Sequence, residues 1–123
     1  MHVSVVSIPV SDQDRAKKFY TEVLGFQQLA DAEMNPEMRW VHLSAPDGGA
    51  TITLVTWFPT MPPGSTRGLV LEIDDVDKWH TDLSAHGYAF PGGIQSEPWG
   101  RYLTVEDPDG NGIVLQTSNR PRP

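Results

Sequence analysis

The chain has 123 residues, 38% hydrophobic and 20% charged, with a formal net charge of −7 and no cysteine. That length fits one domain able to bury roughly two-thirds of its unfolded surface, and no apolar run approaches the ~18–20 residues of a membrane span. The acidic balance disfavours nucleic-acid backbones as partners, the lack of cysteine excludes disulfides and thiolate chemistry, and Met1-His2-Val3-Ser4 shows no basic leader before an apolar stretch. With no signal peptide and no membrane segment expected, the cytoplasm is the default compartment.

In chain order, Val3 to Val10 is rich in Val and Ile and predicts a strand. Ser11 with Asp14 three residues on resembles a capping box. The helix that follows places Ala16, Phe19, Tyr20, Val23 and Leu24 on one stripe, and Gly25 ends it. From Met38 to Ala45 the residues alternate, with Val41 and Leu43 facing one way and Trp40, His42 and Ser44 the other. Pro46-Asp47-Gly48-Gly49 turns the chain into a strand over Ala50 to Phe58, where Ile52 and Leu54 oppose Thr51, Thr53, Val55 and Trp57. Residues 59–66 carry three prolines and read as a linker. A second strand–helix unit follows, with Val76, Trp79 and Leu83 as its buried stripe. Tyr88 to Pro91 is expected as a short strand before a loop from Gly92 to Gly100. Arg101 to Glu106, the turn Asp107-Pro108-Asp109-Gly110, and Ile113 to Thr117 form a last hairpin, and the basic Arg120-Pro121-Arg122 segment lies in a proline-rich tail expected to fray.

Two stretches of this order repeat. The run from Val5 to Asp14 and the run from Gly68 to Asp77 share a strand-like segment and an Asp-x-Asp, offset by 63 positions (75 − 12). An amphipathic helix and a glycine follow each, at Gly25-Phe26 and Gly87-Tyr88, and each half later carries Pro-Asp-Gly before an apolar run. A repeat of this kind predicts two similar supersecondary modules, about 1–58 and 67–118, that complete one core in a single domain over 1–123. Function is then expected in the groove that the two modules form.

The run Asp12…Ala16…Phe19-Tyr20…Leu24-Gly25-Phe26, the halfway repeat, and Asp107-Pro108-Asp109-Gly110-Asn111 before an apolar strand resemble the vicinal oxygen chelate superfamily, also called glyoxalase/bleomycin-resistance/dioxygenase-like. The resemblance covers essentially the whole chain. It implies an α+β fold of two βαβββ modules, a curled mixed sheet around a cupped cavity, helices on the outer face, and a cavity often completed by a second subunit. Its members include metal-dependent lyases, isomerases and dioxygenases, and metal-free proteins that sequester drugs. The metal-ligand positions of that superfamily fall here on Val5, Thr53, Gly68 and Val114. Val and Gly offer no donor, and a neutral Thr hydroxyl is a poor ligand where imidazole, carboxylate or thiolate is usual. No metal and no other cofactor is therefore expected.

If those four positions face the cavity, strand alternation adds Ser7, Trp40, His42, Val55, Trp57, Val70, Glu72, Tyr102, Thr104 and Gln116, with Trp99 over the mouth. This lining is aromatic, mostly apolar and sparingly polar, which suits a flat organic ligand, and Trp faces also hold cations. The expected ligand-binding set is Ser7, Trp40, His42, Thr53, Val55, Trp57, Glu72, Trp99, Tyr102, Thr104 and Gln116. Trp40 and Trp57 fit a pocket as well as they fit the core or a buried dimer interface, Trp99 fits a sheet edge as well as a site, and Trp79 reads as core. His80 and His86 lie on different faces of the second helix, His86 meeting the dipole at its end. The acids near Asp12 and Asp75 read as first-turn helix acids.

Three functions remain open from the residues. The first is a metal-independent protein that sequesters an aromatic or cationic drug-like molecule. The second is a metal-free enzyme with His42, Glu72 or Tyr102 in acid–base roles. The third is a metalloenzyme in which His42, Glu72 and Glu106 replace the usual ligands. A homodimer is expected, since pairing covers sheet edges and exposed aromatic surface.

Overall fold

The computed structural model describes residues 1–119, so the Arg120 to Pro123 tail lies outside the described residues. The chain divides into two compact units, and each is one mixed four-stranded sheet with one helical segment, an α+β arrangement. Unit 1 comprises residues 1–66 together with 107–111, and unit 2 comprises 67–106 and 112 onward.

In unit 1, β1 (Val5–Pro9) runs parallel to β4 (Thr51–Val55), and β4 pairs antiparallel with β3 (Met38–Ser44). β2 (Gln27–Asn35) completes the order β1-β4-β3-β2. β2 is absent from the reading of the sequence, and its composition explains why. Leu29 and Met34 are exposed, the pairing with β3 shifts register twice, and a polar edge strand leaves no period-2 apolar signal. β4 is also shorter than expected, ending at Val55 ahead of a bend at Thr56, so Trp57 and Phe58 lie beyond the strand.

α1 (Gln13–Lys18) is capped by Asp12, not by Ser11 as the capping-box pattern suggested. The Asp12 carboxylate accepts from the Arg15 N–H at 3.0 Å, and Ser11 instead donates from both its N–H and its hydroxyl to Asp109. A π-helical turn, Phe19–Val23, follows. The extra residue swings Phe19 and Tyr20 together into the core beside Ala16, Leu24 and Phe26, while Val23 is left half-buried. Gly25, at φ +79°, takes the left-handed position that stops the helix, and the Phe26 N–H closes on the Tyr20 carbonyl at 2.9 Å.

The linker expected over 59–66 is folded onto unit 1. Gly64 N–H reaches the Pro9 carbonyl, and the Thr66 N–H donates to the Asn111 side chain at 3.0 Å. The turn 107–111 belongs here by its bonding. Asp107 accepts from the buried Tyr20 hydroxyl at 2.9 Å, and Asn111 donates to both Asp107 and the Pro9 carbonyl at 2.8 Å.

Unit 2 repeats the plan. β5 (Leu69–Glu72) is parallel to β8 (Gly112–Ser118), β8 is antiparallel to β7 (Gly100–Glu106), and β6 (Gln95–Glu97) closes the order β5-β8-β7-β6. The short strand expected at Tyr88 to Pro91 is therefore displaced to Gln95–Glu97, inside the stretch read as a loop. α2 (Val76–Ala85) is capped by Asp75, which accepts from the Lys78 N–H at 3.0 Å. The 63-residue offset thus superposes the two helix caps, Asp12 and Asp75. Val76 and Leu83 are buried as expected, but Trp79 is only half-buried. His86 ends the helix, its Nδ1 2.7 Å from the Asp82 carbonyl, and Gly87 then turns the chain at φ +94°.

Candidate functional site

The candidate residues fall into two groups, one on each sheet. On unit 1, Ser7, Thr53 and His42 form one cross-strand row, since Ser7 registers with Thr53 and Thr53 with His42. Ser7 and Thr53 hydroxyls lie 3.3 Å apart. The His42 imidazole binds Thr51 Oγ1 at 2.6 Å, and that hydroxyl in turn donates to the Ser4 carbonyl at 2.8 Å. Trp40 stands beside His42 with ring centroids 5.6 Å apart, and Trp57 tilts against the exposed Phe58 at 6.0 Å. Thr53 and Val55 have essentially no exposed surface, so they support this face from within. His42 is engaged with a threonine hydroxyl, a contact that orients the imidazole.

On unit 2 the β6–β7 hairpin does the positioning. Glu97 pairs with Gly100, leaving Pro98-Trp99 as a two-residue tip. Gly100 has no tolerable substitute there, because a Cβ would run into the Thr117 carbonyl oxygen and the Ser118 Cα. That close approach, with Asn119 donating to the Trp99 carbonyl at 2.7 Å and to the Pro98 carbonyl at 2.9 Å, fixes the tip to the end of β8. Trp99 then lies over Tyr102, nearly parallel at 12° with centroids 5.6 Å apart. The two rings, with Val70, Val114, Gln116 and Glu97, line an open cavity of about 360 Å³. Trp99 keeps 41% and Val70 49% of their surface exposed, so both present free faces.

Glu72 sits beside this lining, two residues along β5 from Val70 and in register with Gln116. Its carboxylate accepts from Gln116 Nε2 at 3.1 Å and from the Ser118 N–H at 2.8 Å, which holds the Gln116 amide in place. Thr104 registers with Val114, exposed, on the neighbouring strand and outside the cavity lining. Glu97 is the lining residue that the sequence did not nominate. The available signal was Pro98-Trp99-Gly100 as a hairpin tip, which by alternation puts Glu97 and Tyr102 on one face.

The donor set does not fit a metal of the kind the fold commonly carries. Val5, Gly68 and Val114 have no side-chain donor atom, and the Thr53 hydroxyl is buried against Ser7. Among the described residues, no three His, Cys, Asp or Glu side chains converge on one point. Nor is any described helix long and apolar enough to cross a membrane.

Comparison with known proteins agrees with this architecture. The chain is similar over 97% of its length to TnmS3, an antibiotic binding protein from Streptomyces sp. CB03234, at 45% identity with a TM-score of 0.89 and 97% of that chain covered. It is similar at 31% identity and TM-score 0.87 to a structure from Sphaerobacter thermophilus DSM 20745, described as a member of the glyoxalase/bleomycin resistance protein/dioxygenase superfamily, covering 96% and 98% of the two chains. The uncharacterized protein YetH of Bacillus subtilis (strain 168) is 33% identical over 117 residues, 93% of this chain and 96% of its own. Residues 2–115 match the model of one family, and with the doubled strand–helix plan, the paired Asp caps and the 107–111 turn in evidence, the chain belongs to the Glyoxalase/Bleomycin resistance protein/Dioxygenase superfamily.

Proposed function

We propose that this protein binds and sequesters a flat aromatic small molecule without a metal and without transforming it. The observation that carries the reading is the Trp99–Tyr102 stack, a rigid aromatic surface lining a cavity of about 360 Å³. That volume lies at the lower end of small-molecule sites. A platform fixed by Gly100 and Asn119 loses little conformational freedom when a ligand lands on it, so binding costs less than ordering a mobile loop would. The similarity to an antibiotic binding protein supports the same class of function.

Chemical roles for the polar candidates are less favoured by geometry. His42 is tied to Thr51, and Glu72 is tied to Gln116 and Ser118, so both serve here as orienting groups. Ser7, Trp40 and Trp57 are the unit 1 residues that we assign to ligand contact, with Thr53 and Val55 behind them. A homodimer is the proposed assembly.

Titration with planar aromatic compounds, followed by calorimetry and Trp fluorescence, tests this. The expected result is saturable binding, weakened by Trp99→Ala by about 1–3 kcal/mol, with the compound recovered unchanged. Protein loaded with nickel, zinc, iron or manganese and then dialysed is expected to retain none. Chemical conversion of the bound compound, or about one retained metal per chain, would defeat the proposal.

A further inference from the structure

The cavity on unit 2 has an asymmetric charge. Of its six lining residues five are uncharged, and the sixth, Glu97, is a carboxylate. Among the described residues that carboxylate has no hydrogen-bond or ion-pair partner, whereas the carboxylate beside the lining, Glu72, is occupied by Gln116 and Ser118. Glu97 is also placed by the same device that places the aromatic rings. It pairs with Gly100 across the hairpin, two residues from Trp99, whose ring stacks on Tyr102.

An anion beside two π faces is complementary to one class of guest. The negative faces of Trp and Tyr attract a cation, the carboxylate attracts it further, and a planar ring system fills the aromatic contact. No lining group offers a positive charge to a ligand anion. The overall charge of −7 acts in the same direction at longer range.

We infer that Glu97 is a specificity-determining residue, making the Trp99–Tyr102 cavity selective for planar aromatic cations over neutral rings of the same shape. This rests on the reading of that cavity as the ligand site. Glu97 sets the preference through charge, and Trp99 and Tyr102 supply contact that a neutral ring shares.

Two probes with nearly the same plane separate the terms: 10-methylacridinium, a permanent cation, and acridine, in mildly alkaline buffer where it is neutral. Calorimetry on the full chain is expected to show the cation bound about fivefold tighter, the size of one partly exposed charge contact. That ratio is expected to shrink as salt is raised. Glu97→Gln keeps the shape of the side chain, and at this exposed position it is expected to leave the melting temperature close to wild type. In that variant the ratio should fall most of the way to one, the remainder belonging to the ring faces and the overall charge. Trp99→Ala should weaken both probes and keep most of the ratio. Equal binding of the two probes to the wild type, or a ratio unchanged in Glu97→Gln, would overturn the inference while the binding site stands. Failure of both probes to bind the wild type would overturn the site and the inference together.

Discussion

Asp31 is the acid of unit 1 that two basic side chains hold at once, Arg39 and Lys17. Arg39 donates to both of its oxygens at 2.8 Å, and Lys17 adds a bond at 2.6 Å. The Arg39 hydrogen bonds first, then that of Lys17, hold the carboxyl far below its ordinary 3.8. The lowered folded value fixes the sign of its linkage. Its stabilisation is fully present above the ordinary carboxylate range and is lost as pH falls through the folded value, because the unfolded chain takes up the proton first. Asp31→Asn is expected to cost about 1–3 kcal/mol near neutrality, and the difference from wild type should narrow in acid, as read by denaturant melts across pH. Tyr20 gives the opposite limb. Burial first, then the Asp107 charge and hydrogen bond, raise its phenol well above the usual 10.0. Above that pH the unfolded chain releases a proton that the folded chain keeps, so stability falls as pH rises. Tyr20→Phe should cost about 1–2 kcal/mol at neutral pH and flatten that alkaline loss.

At the scale of elements, the turn 107–111 carries most of the consequence. It joins β7 to β8, strands of unit 2, yet its side chains complete unit 1. Asn111 donates to the Pro9 carbonyl and to Asp107 and accepts from the Thr66 N–H, while Asp107 also receives the 109 and 111 amides. Removing Asn111 strands several buried partners, which costs more than one hydrogen bond. Asn111→Ala is expected to destabilise the protein by about 2–4 kcal/mol. Hydrogen exchange should speed up at Thr66 and Gly64 as well as in the turn, whereas an effect confined to 107–111 would show the bonds to be incidental. Much of this level is legible in sequence. Asp-Pro-Asp-Gly-Asn reads as a turn, and Asp12 and Asp75 mark two helix starts. β2 and β6 are not legible, because polar edge strands are specified by the partner's hydrogen bonds and not by their own pattern.

For the whole molecule, each sheet leaves two outer strands in its own unit, β1 and β2 in one and β5 and β6 in the other. Apolar side chains stand exposed on three of them, among them Val5, Val6, Leu29, Met34 and Val70. Monomers rarely leave such strands bare. Sedimentation at micromolar concentration is therefore expected to give twice the chain mass of 13.6 kDa, and a single-chain mass would contradict the proposed dimer.

The sequence by itself determined the doubling, the two helical segments and the glycines that follow them, the family resemblance and the lack of metal donors at Val5, Gly68 and Val114. Each of these depends on local residue chemistry or on spacing along the chain. Only the tertiary structure decided which candidates meet. It brought Trp99 over Tyr102, added Glu97 to their cavity, occupied Glu72 with Gln116 and Ser118, and gave the 107–111 turn to unit 1. Those outcomes follow from strand pairing and close packing, some across one hairpin and others between residues far apart in sequence, such as Glu72 with Gln116 and Gly100 with Thr117. Periodicity along the chain sets the face a residue takes, but not the partner it meets there.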